Sequence, residues 1–261
     1  MNNKYLGILQ TSFRESMVYR LDALMSLGTS ILFLALYYFV WLAIDQSGDI
    51  EGGFQQAITY IVAGQIVANT AFVDTEKHIG ERVRHGTIVN ELKRPIDFMK
   101  QIYFYDAGGA LFGFITKSLP VAVIGIVFIG ISTPSLFNGL FFLLSLFLAF
   151  NVVFLFAYIT SMLIFWTKID WSIRMMRSTA QNLFSGALFP LYLLPGTLHT
   201  VFNILPFQVM VDAPVQIFTM AATGTEIYSI LGKQVLWIII LYFVAFYAWK
   251  KAKTKITVQG G

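Results

Sequence analysis

The sequence predicts an all-α integral membrane protein with six transmembrane helices, on three observations. First, 57% of its 261 residues are hydrophobic and only 12% are charged, with a mean hydropathy of +0.69, which is too apolar for a soluble globule. Second, several uncharged runs reach the roughly 20 residues that a helix needs to cross a bilayer. Third, the basic residues gather on one side of those runs. We treat residues 1–261 as one transmembrane domain.

Residues 1–22 predict an amphipathic helix in the membrane interface. Leu6, Leu9, Phe13, Met17 and Leu21 recur at helical spacing, and the charged residues of this segment lie off that stripe. Such a helix rests at the level of the lipid headgroups and can lead into the first span.

Two runs of 22 uncharged residues follow this helix. At about 1.5 Å per residue, each would form a helix about 33 Å long, which is enough for a hydrocarbon core of about 30 Å. We place the first two spans at residues 23–45 and 52–75.

The chain then carries no charge from residue 118 to residue 167, a stretch long enough for two spans. Residues 130–135 have the turn-forming composition that would divide it. Two further apolar runs come later in the chain. The remaining four spans are therefore predicted at residues 104–131, 136–166, 176–195 and 229–250.

Residues 196–226 are too polar for a lipid-facing helix, since they include His199, Asn203, Gln208 and Asp212 as well as two prolines. A crossing here would also move the basic carboxyl-terminal tail to the other side of the membrane. We expect instead a re-entrant pair of short helices at the outer face. Backbone of this kind is tolerated at membrane depth only where protein or water covers its polar groups.

The basic residues set the orientation of the spans. With the amino terminus in the cytoplasm, 17 of the 18 lysines and arginines are cytoplasmic, and only Lys233 lies near the outer face. Basic residues near the ends of spans favour the cytoplasmic side, so both termini are expected there. The acidic residues predicted outside are Asp45, Asp49, Glu51, Asp212 and Glu226.

Reactive side chains are too scarce for a catalytic site. The chain has no cysteine and three histidines, none of them at the spacing of a zinc peptidase. Residues 113–118 lack the glycine that precedes the lysine of a phosphate-binding loop. We expect no enzyme, no metal site and no cofactor bound by this chain. The net charge of +4 reflects the cytoplasmic bias of the basic residues, so nucleic acid is not an expected partner.

Residues 76–99 form the predicted cytoplasmic loop between the second and third spans. The surrounding segment 74–97 contains ten charged residues and two of the three histidines. We expect the second helix to continue into the cytoplasm and to stop near Gly86. A short helix over 87–92 would follow, with Ile88, Val89 and Leu92 on an apolar face that suits a partner. Pro95 would end it, because proline disfavours a helical residue before it.

This loop resembles the first cytoplasmic loop of ABC-2-type ATP-binding-cassette permeases in the pattern Gly86, Ile88, Leu92, Arg94, Pro95, Ile96. The prolines at 190, 195, 206 and 214 resemble the paired outer helices that these permeases carry between their fifth and sixth spans. The amphipathic start is similar to the interfacial elbow of the family. The resemblance covers essentially the whole chain and is closest to a small bacterial branch.

The resemblance implies half of an exporter in a bacterial cell membrane. Two permease chains, identical or related, would enclose a translocation route, and two cytoplasmic ATPase subunits would bind ATP and Mg²⁺ beneath them. The expected cargo is a drug, a lipid or a hydrophobic peptide moved outward through the lipid bilayer. The loop helix would insert into the ATPase and transmit its closure. The implied coupling residues are Glu81, Arg82, Arg84, Gly86, Ile88, Glu91, Leu92, Arg94 and Pro95.

Polar residues inside the spans are candidates for the lining of a translocation path. The residues concerned are Gln65, Asn69, Gln181 and Asn182, with Asn151 as a further polar exception. They could equally bond between helices, at about 0.6 kcal/mol each, and we favour that interpretation.

Two alternatives from other classes stay open at this point. An energy-coupling membrane subunit of an importer also contacts ATPases, but it would be expected to present two long coupling helices. A non-transporting immunity or scaffold protein would bind no ATPase.

Overall fold

A computed structural model describes residues 2–48 and 52–255, except for the side chains of residues 2, 3 and 199. The predicted outer residues Asp49 and Glu51 and the end of the tail, 256–261, lie outside the described residues. The described part is helical and has no strand, which confirms the all-α prediction. Five helical segments in it are long and apolar enough to cross a membrane: Arg20–Gln46, Gly53–Arg84, Phe98–Ile129, Leu136–Thr167 and Thr225–Lys253. The predicted count of six spans is therefore not confirmed.

Helix α1, Asn2–Val18, covers the segment predicted as the interfacial elbow, and α2, Arg20–Gln46, follows after the non-helical Tyr19. Helix α1 packs along α6, Phe98–Gly113. The rings of Tyr5 and Phe104 stack at 5.3 Å. A Cβ atom on Gly108 of α6 would lie 2.5 Å from the carbonyl oxygen of Leu9, so only glycine permits this close approach.

We expect Gly108→Ala to detach the elbow from α6. Overpacking of this kind typically costs about 1–3 kcal/mol, and limited proteolysis should then cut α1 sooner than in the parent protein. The neighbouring Gly109 is the matched control, because a Cβ atom there would meet nothing within 4 Å. Equal protection of the two variants would contradict the proposed close approach.

The second membrane segment ends with a short helix, and another short helix links it to the third segment. Helix α3, Gly53–Ala71, is followed by α4, Thr75–Arg84, and α5, Ile88–Leu92. Between α4 and α5, Gly86 has φ +67°, a left-handed conformation that glycine adopts without a steric penalty. Asp97 then caps α6 by accepting a hydrogen bond from the backbone N–H of Lys100 at 2.9 Å.

The third membrane segment is interrupted twice by π-helical turns. After α6 come the π turn Phe114–Ser118, helix α7 at Leu119–Ile124, and a second π turn at Gly125–Ile129. Gly130, at φ +75°, ends the segment. Ser135 begins α8, Leu136–Ser161, by accepting a hydrogen bond from the N–H of Asn138 at 3.2 Å.

The expected fifth span does not form one continuous helix over 176–195. After the short helix α9, Ile164–Thr167, helix α10 covers only Trp171–Phe184. Its 14 residues are about 21 Å long, which is short of a core of about 30 Å. The helix ends because Gly186 has φ +88° and Pro190 follows. The prediction relied on the uncharged run alone and therefore missed these interruptions.

The remaining elements follow α10 along the chain. They are α11, Gly196–Ile204, a 3₁₀ turn at Gln208–Met210, α12, Asp212–Phe218, and the long α13, Thr225–Lys253. Helix α12 is almost wholly buried against α8. Asn138 Nδ2 donates to the carbonyl oxygen of Ile217 at 2.9 Å, and the rings of Phe142 and Phe218 lie 5.1 Å apart.

Candidate coupling site

The predicted cytoplasmic loop is bonded to α10 through a fully buried ion pair. Arg177 Nε of α10 donates to Glu76 Oε1 of α4 at 2.5 Å, with 3% and 0% of the two side chains exposed. The same guanidinium donates to the carbonyl oxygen of Val73 at 2.7 Å and to Gln181 Oε1 at 2.6 Å. Thr160 of α8 also donates to Glu76 Oε1, at 2.8 Å. One arginine therefore joins α10 to the connection between α3 and α4.

Two further ion pairs flank the buried pair. Arg174 Nη1 lies 3.2 Å from Asp74 Oδ1, and Arg84 of α4 pairs with Asp170 at the start of α10. We call these six residues the α4–α10 cluster: Asp74, Glu76, Arg84, Asp170, Arg174 and Arg177.

Gly80 allows α4 and α10 to approach at this point. A Cβ atom on Gly80 would lie 2.4 Å from Cβ and 2.8 Å from Cγ of Asp170. Gly80 is itself buried, so a larger residue would force the two elements apart. The contact leaves no space for a side chain between α4 and the start of α10 at this point.

The opposite face of α4 packs on α6. Thr75 Oγ1 donates to Asp106 Oδ2 at 2.6 Å, and His78 Nε2 lies 3.8 Å from Asp106 Oδ1. The Arg82 guanidinium donates to the carbonyl oxygen of His78 at 2.7 Å and lies 5.9 Å from the centre of the Tyr105 ring. Helix α4 is thus held from two sides, by α6 and by α10.

Several predicted coupling residues have partners inside the chain. Arg84 and Arg82 are engaged as described above. Glu91 accepts a hydrogen bond from Gln101 Nε2 at 2.5 Å and pairs with Arg94 at 3.0 Å. Ile88 is only 3% exposed, so its side chain packs within the chain.

The rest of the predicted set is open at the surface. Arg94 keeps 58% of its side chain exposed, and Leu92 is 38% exposed. Glu81, Gly86 and Pro95 are exposed as well. These five residues are the exposed members of the predicted set that have no part in the α4–α10 cluster, and we call them the loop surface.

The predicted path residues bond to different neighbours and not to one another. Gln65 Nε2 donates to the carbonyl oxygen of Ser30 in α2 at 2.6 Å, and Ser30 Oγ donates to Asn69 Oδ1 at 3.4 Å. Gln181 is fully buried beside Arg177, whereas Asn182 is half-buried. Asn151 accepts from Tyr103 at 3.0 Å. Gln65 and Asn151 thus bond between helices, whereas Gln181 bonds within α10.

Sequence reasoning did not single out Glu76, Asp170 or Arg177 as functional residues. A signal was nevertheless present, because Arg177 directly precedes an uncharged run that reaches residue 211. A charge next to such a run is costly to bury without a partner. Within the described residues, no group of histidines and acidic residues could hold a metal ion.

Comparison with known proteins assigns the chain to a family. No curated protein matches the chain. A family model described as ABC-2 family transporter protein matches residues 31–260, which include the loop surface and the whole α4–α10 cluster. Members of this family are membrane components that work with an ABC ATPase. The chain therefore belongs to the ABC-2 family of transporter proteins.

Proposed function

We propose that this chain is the permease subunit of an ABC exporter, in which the 76–99 loop receives the movement of the ATPase and α10 carries it into the membrane. The observation that carries the proposal is the α4–α10 cluster. It links the loop to α10 through a buried, multiply hydrogen-bonded pair and two flanking pairs. A displacement of α4 would therefore be transmitted to α10.

The proposal includes the partners that such a machine requires. A cytoplasmic ATPase would supply ATP and Mg²⁺, and a second permease chain, identical or related, would complete the route. The protein would reside in a bacterial cell membrane with both termini in the cytoplasm. An amphipathic cargo, such as a drug, a lipid or a hydrophobic peptide, suits a chain that is 57% hydrophobic.

The loop surface is the proposed contact with the ATPase. Arg94 offers an exposed guanidinium, and Leu92 offers an exposed apolar side chain beside it. Arg84 and Ile88 have partners within the chain, because Arg84 is paired with Asp170 and Ile88 is packed inside the chain. Reversing the charge of Arg84 would thus disturb the permease itself and would not report cleanly on the contact.

We expect Arg94→Glu to lower the amount of co-purified ATPase at least tenfold. The reason is that the exposed charge at the contact changes sign, while the pair with Glu91 is a surface pair worth at most about 1 kcal/mol to the fold. The measurement is a pull-down of tagged permease in detergent, co-expressed with the ABC ATPase encoded nearest to its gene. Lys251→Glu, at an exposed position near the end of α13, is the matched charge reversal.

Gly86→Pro provides a second variant with no change of charge. Proline fixes φ at about −65° and cannot adopt the φ of +67° that Gly86 has, so the turn between α4 and α5 should be lost. Retained ATPase binding by both loop variants would place the contact elsewhere. Absence of ATPase on well-folded parent protein would instead favour the immunity or scaffold alternative.

A further inference from the structure

A second polar site lies at the other end of the bundle, where α3 begins. A cavity of about 410 Å³ is bounded by the first turns of α3 and α13 and by the outer helices α11 and α12. None of its lining residues belongs to the loop surface or to the α4–α10 cluster. Its polar and charged lining includes Gln56, Tyr60, Gln208, Asp212, Gln216 and Lys233.

A buried carboxylate organises one wall of this cavity. Asp212 is only 3% exposed. Its Oδ1 accepts a hydrogen bond from the hydroxyl of Tyr60 at 2.7 Å. Its Oδ2 accepts from Gln208 Nε2 at 2.7 Å and from Gln216 Nε2 at 2.5 Å.

These contacts fix the direction of the two side-chain amides. Both glutamines donate through Nε2, so each turns its NH₂ group toward Asp212 and its carbonyl oxygen away. Gln208 is 3% exposed, and its Oε1 is buried with no hydrogen-bond partner among the described residues. The wall thus combines a buried carboxyl group with a buried acceptor that has no donor among the described residues, a condition that natural structures rarely leave unsatisfied.

The backbone is shaped to hold this wall. The N–H of Asp212 donates to the carbonyl oxygen of Ser185 at 3.0 Å. Gly186, which follows Ser185, has φ +88°. A Cβ atom on it would lie 2.4 Å from the hydroxyl of Tyr60 and 3.2 Å from Cβ of Asp212. Only glycine allows the segment after α10 to pass this close to the Tyr60–Asp212 pair.

We infer that this cavity binds a ligand through a primary ammonium group. An ammonium carries three N–H donors and one positive charge, which match the unpartnered Gln208 oxygen and the buried carboxylate behind it. Lys233, exposed on α13, would meet a polar or anionic group at the other end of the ligand. The same chemistry is offered by a small soluble amine and by the headgroup of phosphatidylethanolamine. The inference does not depend on the proposed function, because binding here needs no ATPase.

The test is calorimetric titration of the purified protein in nanodiscs of phosphatidylcholine, with ethanolamine as the probe. Choline is the matched probe, because it has the same skeleton but its nitrogen carries no N–H. We expect saturable binding of ethanolamine and at least tenfold weaker binding of choline. Equal binding of the two, or no saturable binding of ethanolamine, would overturn the inference.

Two variants locate the site. Gln208→Met removes the unpartnered acceptor, and Ser229→Trp fills the cavity from an exposed position on α13 without touching the Asp212 contacts. Each should weaken ethanolamine binding at least tenfold. Gln10→Met, at an exposed position of α1, is the control and should bind like the parent protein. Unchanged binding in a folded Ser229→Trp variant would place the ligand outside this cavity.

Nanodiscs that contain phosphatidylethanolamine separate the two sources of the ammonium group. If the lipid headgroup is the ligand, these nanodiscs should abolish the binding of soluble ethanolamine by occupying the site beforehand. If the ligand is a soluble amine, the affinity for ethanolamine should be the same in both lipids. Either result supports an ammonium site and identifies where its ligand comes from.

Discussion

Arg177→Met is expected to lower the free energy of unfolding by about 3–5 kcal/mol, because it leaves the buried carboxylate of Glu76 without its cation. Glu76 is fully buried, and Arg177 Nε lies only 2.5 Å from it. The substitution also removes the donors to Val73 and Gln181. The measurement is denaturant unfolding of the purified permease in detergent.

Arg174→Met is the matched control on the same helix. Its partner Asp74 is 57% exposed, and an ion pair in such surroundings contributes about 0–1 kcal/mol. The two variants lose the same chemical group within one turn of α10, so they differ in the burial of that group and in the hydrogen bonds that it makes. Similar stabilities would show that the Glu76 environment is far more hydrated than its burial implies.

The double variant Arg177→Met with Glu76→Gln separates the effect on the free energy of unfolding from the effect on the transmission of movement between α4 and α10. With no buried charge left, most of the lost stability should return, and the new amide can still accept a hydrogen bond from Thr160. If the α4–α10 cluster transmits movement, ATP-driven export in proteoliposomes should remain at least tenfold below the parent protein. Parental export by this double variant would mean that the movement follows another route.

Much of the fold could be predicted because the bilayer imposes simple rules on sequence. Charge-free runs of 22 residues can satisfy their backbone in lipid only as helices, and α2 and α3 follow directly. The turn at Gly86 was likewise readable, since its left-handed backbone favours glycine. Spans and turns of this kind depend on residues close together in the sequence, so the sequence was enough to predict them.

The fifth span shows where this reasoning stopped. Residues 178–211 carry no charge, yet α10 ends at Phe184. The segment that follows packs Gly186 against the Tyr60–Asp212 pair. That packing is tertiary and joins residues more than a hundred positions apart, so a window along the chain cannot detect it.

The α4–α10 cluster was hidden for a related reason. The tendency of basic residues to lie on the cytoplasmic side already explains Arg174 and Arg177 one at a time, so no partner had to be sought. Glu76 and Arg177 are 101 positions apart, and only the folded chain brings them together. The position of the loop was predictable in outline, but which of its charges are paired within the chain could be read only from the folded structure.

Gly80→Ala is expected to reduce export at least tenfold while leaving the loop surface able to bind the ATPase. In an ordinary helix interior, this change stabilises by about 1 kcal/mol. Here the added methyl group would lie 2.4 Å from Cβ of Asp170, so α4 must move away from α10, at a typical overpacking cost of about 1–3 kcal/mol. The separation should also break the pair between Arg84 and Asp170.

The readouts are the pull-down of the ATPase and export per ATP hydrolysed in proteoliposomes. Gly232→Ala on α13 is the control, since a Cβ atom there would meet nothing within 4 Å, and it should export normally. If Gly80→Ala still binds the ATPase but exports little, docking and transmission are separate properties. Docking would then belong to the loop surface, and transmission to the contact between α4 and α10. Export at the parental level would refute transmission through this contact, because the steric clash leaves no arrangement in which the two elements keep their present distance.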